Sequence, residues 1–580
     1  MEGLELTVLL GVAVLTGTLL APRLRVATPL VLLIIGLALG FVPALREVQL
    51  PPETVLLLFL PIMLFRESWT TSVRSIRRSL WYIVPMSTLL VVASAFAVAG
   101  IAAAMGVPWE AALILGAAVA PPDATAVAAL GRLLPQRTFM KLKAESLTND
   151  GTALVVYAIA VSLAVGGQVT PLSITATVLI SYLGGAVAGI AAAAAAYLVM
   201  RRMRTTVALN LTMALVPFTA FLLAELVSAS GVLAVVIAGL IVAWIAPRIT
   251  TAQSRRQADS IWTFGAFVLN GALFVLIGLE VQYVLHDIPL AQVGWLLLVT
   301  VAVWAALFVV RYLFQLLFAP FVRLSSQTPP GSSAASRHRG RIVSTVAGFR
   351  GAVSLAIALS VPLTTDAGAA LAGRDSIVFV TAGVIVLSLL VQGPLLPAVV
   401  RWAKLPVDDA EVDEYELAQR AITGAALAAI DDLAAEHGVG DEVRDRARAE
   451  GYLQLELANA RAVAREHAAI DDEIASLETM LSGPDAGVDP ATAASAGGGV
   501  QPDGTSLEML AISDGIDLTQ RSPLIRHEEA TRLKLALLDR KREVLLRLRR
   551  EGTVDDLVVR RVQAGLDLEE IRVRGIEEID

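Results

Sequence analysis

Long apolar segments dominate the first 404 residues and restrict the fold more than any other feature. About 20 apolar residues are needed to cross the hydrocarbon core of a bilayer. The sequence predicts about thirteen such helices, and residues 53–65 are short for a full crossing. The predicted segments are 5–21, 27–44, 53–65, 80–105, 109–132, 141–166, 173–200, 205–227, 231–247, 258–280, 290–320, 341–363 and 374–402. The chain is 56 % hydrophobic and 17 % charged, against about 45–50 % and 25 % in soluble domains.

Basic residues are concentrated in alternate loops between these segments. Every second loop is rich in Arg and Lys, and together these loops hold 22 basic residues against 2, Arg46 and Arg374, in the intervening loops. Basic loops stay on the cytoplasmic side of a membrane. The pattern predicts a multi-pass protein with its N-terminus outside and its C-terminus in the cytoplasm, which requires an odd number of helices.

The composition of the last part of the chain predicts that water, and not lipid, surrounds it. Residues 405–580 hold 38 acidic and 20 basic residues, whereas residues 1–404 hold 15 and 26. Helical periodicity with many charges predicts an acidic helical domain in the cytoplasm, with a flexible Gly/Pro/Ala-rich linker near 483–505. Two roles fit this domain: it binds a regulatory ligand, or it stabilises a dimer. The chain has no cysteine, so disulfides and thiolate metal sites are excluded.

Five ionisable residues stand out among those inside the predicted membrane helices. A charge within the bilayer is costly, so each is a candidate for function. The five are Asp123, Glu145, Asp150, Glu225 and Arg350. Glu225 is open to two interpretations: it lines a pathway, or it bonds to a nearby serine at the outer end of its helix.

Asp123 follows two consecutive prolines in the segment AVAPPDATAV. Proline has no N–H to donate and breaks a helix, so Pro121 and Pro122 free carbonyl groups within the span. Transporters use such broken helices to build cation sites near the middle of the membrane. The alternative is a kinked helix whose Asp123 pairs with a basic neighbour.

The segment AESLTNDGTALVVY carries a second polar group. Glu145 and Asn149 share one helix face, and Ser146 and Asp150 share another, because each pair is four residues apart. The Asp150 carboxylate and the Ser146 hydroxyl offer hard oxygen ligands for an alkali cation. A buried carboxylate binds either a proton or a cation, and this competition is an exchange mechanism. The alternative is a polar cluster at the cytoplasmic end of a helix.

Arg350 lies between two glycines in STVAGFRGAVSLA. A buried arginine needs compensation, and Glu145 is the predicted partner in a structural ion pair. The alternative is an arginine that reaches the membrane surface from a helix end. The break at Asp123 falls in the fifth predicted helix and Arg350 in the twelfth. This spacing predicts two inverted six-helix repeats whose interrupted helices cross.

The segments PPDATAV, ESLTNDGTALVVYAIAV and GFRGAVSLAIAL together resemble the bacterial monovalent cation/proton antiporter-1 family, the NhaP-like sodium/proton exchangers. The resemblance covers about 1–404. It implies a homodimer that works by alternating access, with Asp150 as the exchanging carboxylate, Ser146 as an ion ligand and Asp123 in support. It also implies a structural pair of Glu145 with Arg350. The Asn149–Asp150 pair implies electroneutral one-for-one exchange.

Two positions depart from the family pattern. Pro122 and Ala124 stand where relatives have threonine and proline, so Thr125 is the candidate substitute for the missing threonine ligand. Relatives often have Phe-Glu at the end of the third helix, where this chain has Phe65-Arg66-Glu67, so Glu67 is the candidate for that glutamate.

The predicted function is sodium/proton antiport in the plasma membrane, serving pH homeostasis. Potassium/proton antiport is the first alternative, and a passive cation channel is the alternative of another class. Paired titratable groups at a broken helix argue against a channel, which needs weak multi-site binding. The spans contain no His/Cys metal set and no nucleophile–base pair, so an enzyme is not expected. The expected partners are lipid, monovalent cations and a second copy of the chain, with no cofactor and no nucleic acid.

Overall fold

The computed structural model describes residues 2–24, 26–42, 52–123, 134–167, 170–320, 334–365, 368–405, 410–481 and 523–575. The chain divides into two compact units, Met1–Asp408 and Asp409–Asp580. Within the described residues, regular structure is helical apart from one isolated antiparallel bridge between Thr364 and Ala370. The predicted all-helical architecture is therefore confirmed.

The first unit contains eighteen described α-helices and two π-helical turns. They are α1 (Glu2–Leu24), α2 (Thr28–Leu39), α3 (Pro52–Trp69), α4 (Val73–Arg78), α5 (Leu80–Ser87), α6 (Leu89–Ala104), α7 (Trp109–Val119), α8 (Gln136–Val165), α9 (Pro171–Leu179), a π turn (Ile180–Gly184), α10 (Gly185–Met200), α11 (Thr206–Glu225), α12 (Gly231–Ile249), α13 (Ala252–Asp287), α14 (Leu290–Leu317), α15 (Ala334–Val346), α16 (Ala352–Leu359), α17 (Arg374–Leu387), a second π turn (Ser388–Gln392) and α18 (Gly393–Ala403).

Nine helical stretches of the described residues are long and apolar enough to cross a membrane. Two further apolar helices, Thr28–Leu39 and Trp109–Val119, are shorter. The multi-span membrane architecture follows from these lengths, since about 20 apolar residues span the hydrocarbon core. The total of thirteen spans and the inverted repeats stay predictions.

Helical structure stops at two places in this unit that bear on the site. α7 ends at Val119, and the non-helical residues 120–123 follow it. α15 ends at Val346, and α16 begins at Ala352 after the non-helical residues 347–351. Pro121 and Pro122 explain the first break because neither can donate a main-chain hydrogen bond. The two breaks build the site described below.

Glycines allow α2 and α13 to cross with their main chains in contact. A Cβ on Gly36 would overlap the carbonyl oxygen of Val275, and a Cβ on Gly278 would overlap that of Leu33. Small residues at helix crossings permit this approach, and packing drives helix association within a bilayer. The crossing therefore depends on both glycines.

We expect Gly36→Ala and Gly278→Ala each to destabilise the first unit by about 1–3 kcal/mol, because an added Cβ forces the two helices apart. Gly11→Ala is the matched control, since nothing among the described residues lies within 4 Å of a Cβ at Gly11 in α1. Thermal unfolding of the detergent-solubilised protein measures the effect. Equal midpoints for Gly36→Ala and Gly11→Ala would contradict this account of the crossing.

The second unit has five described helices, and the first, fourth and fifth of them supply its core. They are α19 (Ala410–Ala428), α20 (Ile430–Glu436), α21 (Asp441–Leu481), α22 (Pro523–Glu551) and α23 (Asp556–Arg574). Ile422, Leu538, Leu545 and Val558 are buried together in this core. The predicted linker near 483–505 lies outside the described residues.

Candidate functional site

The two helix breaks exchange main-chain hydrogen bonds. In a continuous α-helix the Asp123 N–H would donate to the carbonyl of Val119, four residues earlier. Instead the Asp123 N–H donates to the Phe349 carbonyl of the other break, at 2.8 Å. The Val119 carbonyl accepts a hydrogen bond from Arg350 Nε, at 2.5 Å. Each break therefore satisfies polar groups that the other exposes.

Arg350 caps the end of α7, and its predicted pairing with Glu145 is wrong. The guanidinium donates to carbonyl oxygens: Nε to Val119, and Nη1 to Gly348 at 2.8 Å. An arginine can hydrogen-bond the last carbonyls of a helix, where the helix dipole also favours a positive charge. The breaks supply enough acceptors for the buried arginine to be satisfied without a direct bond to a carboxylate.

Glu145 pairs instead with Arg311 of α14. Arg311 Nη1 and Nη2 donate to the two Glu145 carboxylate oxygens at 2.6 and 3.1 Å. Arg311 Nε donates to the Ser344 carbonyl at 3.0 Å, which ties α15 to the pair. Glu145 is 0 % exposed and Arg311 is 2 % exposed. A bidentate pair of this kind fixes geometry as well as charge, so it holds α8, α14 and α15 together.

The sequence contained a signal for Arg311, although our prediction did not use it. Arg311 stands within the apolar segment AALFVVRYLFQLLFA, inside a helix that is long enough to span the membrane. A charge at such a position requires a partner. Arg311 was therefore as strong a candidate for Glu145 as Arg350 was.

Asp150, Ser146 and Asn149 are all buried on α8. Asn149 Nδ2 donates to the Pro122 carbonyl at 2.9 Å, so the amide is fixed against the first helix break. Asn149 Oδ1 has no hydrogen-bond partner among the described residues. An unpaired buried acceptor is costly, and it provides an oxygen that suits a hard cation.

Asp123 lies against the start of α16. Its side chain contacts Gly351, the residue that caps the N-terminus of that helix, so closely that a Cβ on Gly351 would overlap the carboxylate. The N-terminal end of a helix favours negative charge because its N–H groups point outward. Gly351, in the second break, therefore leaves the space that the Asp123 carboxylate occupies at the start of α16.

Three acidic residues form one electrostatic group. Asp123 and Glu67 both interact electrostatically with Asp150, and Asp123 also interacts with Glu67. Glu67 of α3 therefore lies within electrostatic range of the two aspartates that the motifs predicted. Three carboxylates with a serine and an asparagine form a set of oxygen donors for a monovalent cation or for protons.

Two secondary candidates remain, and the structure describes one of them. Thr125 lies outside the described residues. Glu225 is exposed at the end of α11, and it is not among the residues that act on Asp150. Of its two neighbouring serines, Ser230 caps the next helix by accepting from the Leu233 N–H.

A small polar cavity lies beside the arginines, and sequence reasoning missed it. Its volume is about 10 Å³, and its lining includes Arg311, Arg350, Ser388 and Gln392. Ser388 Oγ and Gln392 Oε1 have no partner in the part of the chain that the structure describes. A polar cavity needs about this volume to hold one water molecule. The π turn at Ser388–Gln392 is what presents both side chains.

Comparison with known proteins agrees with this architecture. The family model described as sodium/hydrogen exchanger, transmembrane, matches residues 10–402. An uncharacterized Na⁺/H⁺ exchanger of Mycobacterium tuberculosis is 36 % identical over 98 % of this chain and 96 % of its own length. The Na⁺/H⁺ antiporter ApNhaP of Aphanothece halophytica is 31 % identical over 73 % of this chain and 78 % of its own length.

Solved structures show the same fold. The sodium proton antiporter MjNhaP1 from Methanocaldococcus jannaschii superposes with a TM-score of 0.53 at 18 % identity, covering 69 % of this chain and 99 % of that one. At 18 % sequence identity, this structural similarity shows a shared fold and nothing more. The family model and the relatives extend it to membership: this chain belongs to the sodium/hydrogen exchanger family of membrane transporters.

Proposed function

We propose that this chain exchanges Na⁺ for H⁺, one for one, at the carboxylate of Asp150. The observation that carries the proposal is the buried position of Asp150 beside Ser146 and the anchored amide of Asn149. The two relatives described above are named as a Na⁺/H⁺ exchanger and a Na⁺/H⁺ antiporter. Asp150, Ser146 and Asp123 contribute the oxygen ligands of the transported cation, and Asn149 Oδ1 and Glu67 are further donors.

Competition at one carboxylate explains the coupling. Burial penalises an ionised group that lacks a partner, so Asp150 crosses the membrane only when a proton or a cation neutralises it. Both loaded states then carry the same charge, and the cycle moves no net charge. Glu145 and Arg311 bond to each other, so we assign this pair to the scaffold that surrounds the site.

The wider setting of the protein follows from the proposed activity. We place the N-terminus outside and the C-terminus in the cytoplasm of the plasma membrane, on the distribution of basic loops. Two copies of the chain form the working unit, and each moves its own core between the two sides. The acidic second unit binds a regulatory ligand or stabilises the dimer, and its deletion would distinguish these roles by the pH profile of transport.

The test is exchange by protein in liposomes that hold a pH-sensitive dye and an imposed pH gradient. Addition of Na⁺ should collapse the gradient, and clamping the membrane voltage should not change the rate. Asp150→Asn should reduce the rate to that of protein-free liposomes, because an amide cannot exchange a proton for a cation. Glu225→Gln is the matched control, since it neutralises an exposed carboxylate outside the site.

Each other outcome has a definite meaning. If only K⁺ collapses the gradient, the protein is a potassium/proton antiporter that uses the same carboxylate. If Asp150→Asn still exchanges, the site assignment is wrong. If cations cross without movement of protons, the protein is a channel.

A further inference from the structure

Lys143 is a charged residue that the proposed exchange does not yet explain. It lies on α8, seven residues before Asp150, which places both on the same helix face about two turns apart. Its Nζ donates to Thr70 Oγ1 at 2.5 Å, in the turn that follows α3. The same hydroxyl of Thr70 bonds to the carbonyls of Arg66 and Glu67. Lys143 is therefore held against the end of the helix that carries Glu67.

Lys143 also interacts electrostatically with Glu67, a member of the acidic group. Glu67 interacts with Lys143 and with Asp123, and Asp150 interacts with Asp123 and Glu67. Glu67 thus connects the lysine to the exchanging carboxylate. An ammonium group and an alkali cation carry the same charge and seek the same oxygen ligands, and a lysine presents its charge on a flexible stem.

We propose that Lys143 is a tethered counter-cation for Glu67 that competes with the transported cation and sets the apparent affinity of the site. This inference rests on the proposed function and extends it to a residue that determines affinity. While the ammonium group neutralises Glu67, the acidic group attracts an incoming cation less strongly. The bond to Thr70 holds the ammonium group near the end of α3, so its charge opposes the binding of a cation at the acidic group.

The test measures the KM for Na⁺ in liposomes at the alkaline end of the active range, where protons do not compete and mask the change. Lys143→Gln should lower KM about three- to tenfold, the scale expected for a nearby charge that is partly screened by solvent. Lys143→Arg retains the charge and should leave KM within about twofold. Lys141→Gln is the matched control, since Lys141 lies over the ring of Tyr82 at 5.6 Å from its centroid.

The same measurement in Glu67→Gln protein separates an effect of Lys143 that acts through Glu67 from a general effect on the protein. In Glu67→Gln protein, Lys143→Gln should leave KM unchanged, because the carboxylate that the lysine neutralises is gone. Equal shifts in both backgrounds, or an unchanged KM in Lys143→Gln alone, would overturn the proposal. If Lys143→Gln does not fold, Lys143→Met keeps the apolar stem and removes the same charge. Loss of exchange in Asp150→Asn with no effect at Lys143 rejects this inference and retains the proposed function.

Discussion

Glu145→Gln should destabilise the membrane unit by about 3–5 kcal/mol, the usual cost of removing one partner from a buried ion pair. The substitution leaves Arg311 charged and buried beside a neutral amide, while its Nε keeps the bond to the Ser344 carbonyl. Glu145 and Arg311 are both nearly inaccessible, so solvent cannot replace the lost carboxylate. The apparent midpoint of thermal unfolding in detergent measures the loss.

Double substitution identifies the true partner of Glu145. Glu145→Gln with Arg311→Gln removes both charges and should recover part of the lost stability. Glu145→Gln with Arg350→Gln should be less stable than Glu145→Gln alone, since Arg350 makes separate bonds to Val119 and Gly348. A double-mutant cycle isolates the coupling between two contacting residues. Rescue by the Arg350 substitution instead would restore the pairing that the sequence first suggested.

Gly351→Ala should nearly abolish exchange while the protein still folds. A Cβ at this position would overlap the Asp123 carboxylate, and the Asp123 main chain is fixed by its bond to Phe349. The side chain must therefore turn away from the start of α16 and from its place in the acidic group. Displacing a reacting group by about 1 Å can cost on the order of 100-fold in rate. The exchange rate in liposomes measures the effect.

Gly100→Ala controls for the added methyl group in a membrane helix, because nothing among the described residues lies within 4 Å of a Cβ there. Gly351→Ala should differ from it in transport rate and resemble it in thermal midpoint. If both variants transport at the native rate, Asp123 is not positioned through Gly351. If Gly351→Ala loses the folded state, the glycine supports the helix break rather than the carboxylate.

Local sequence was sufficient to predict the breaks and the polar helix face. Two prolines must interrupt a helix, and residues four apart must share a helix face, whatever the rest of the chain does. Asp123, Asp150, Ser146 and Asn149 were therefore identifiable without coordinates. The family resemblance named Glu67 as a candidate, and the structure adds its electrostatic interaction with Asp150.

Pairing across long distances in the chain was harder to predict. Glu145 had two buried arginines available, and a guanidinium can be satisfied by carbonyls as well as by a carboxylate. The choice depends on where the unpaired carbonyls of Val119 and Gly348 lie, which sequence spacing does not state. The contact between Gly351 and Asp123 was hard to predict for the same reason, since only the folded geometry shows that the glycine leaves room for a carboxylate.

The reciprocal bonding of the two helix breaks has a consequence for chimeric proteins. Residues 120–123 and 347–351 share a hydrogen bond through Asp123 and Phe349, and Arg350 completes the end of the other helix. If one of these segments were replaced by that of a relative, its main chain would be shaped to bond with the relative's other break and not with the break in this chain. Grafts that transfer both segments together should be tolerated where either one alone is not. Over evolutionary time, the two segments should therefore accumulate substitutions in concert.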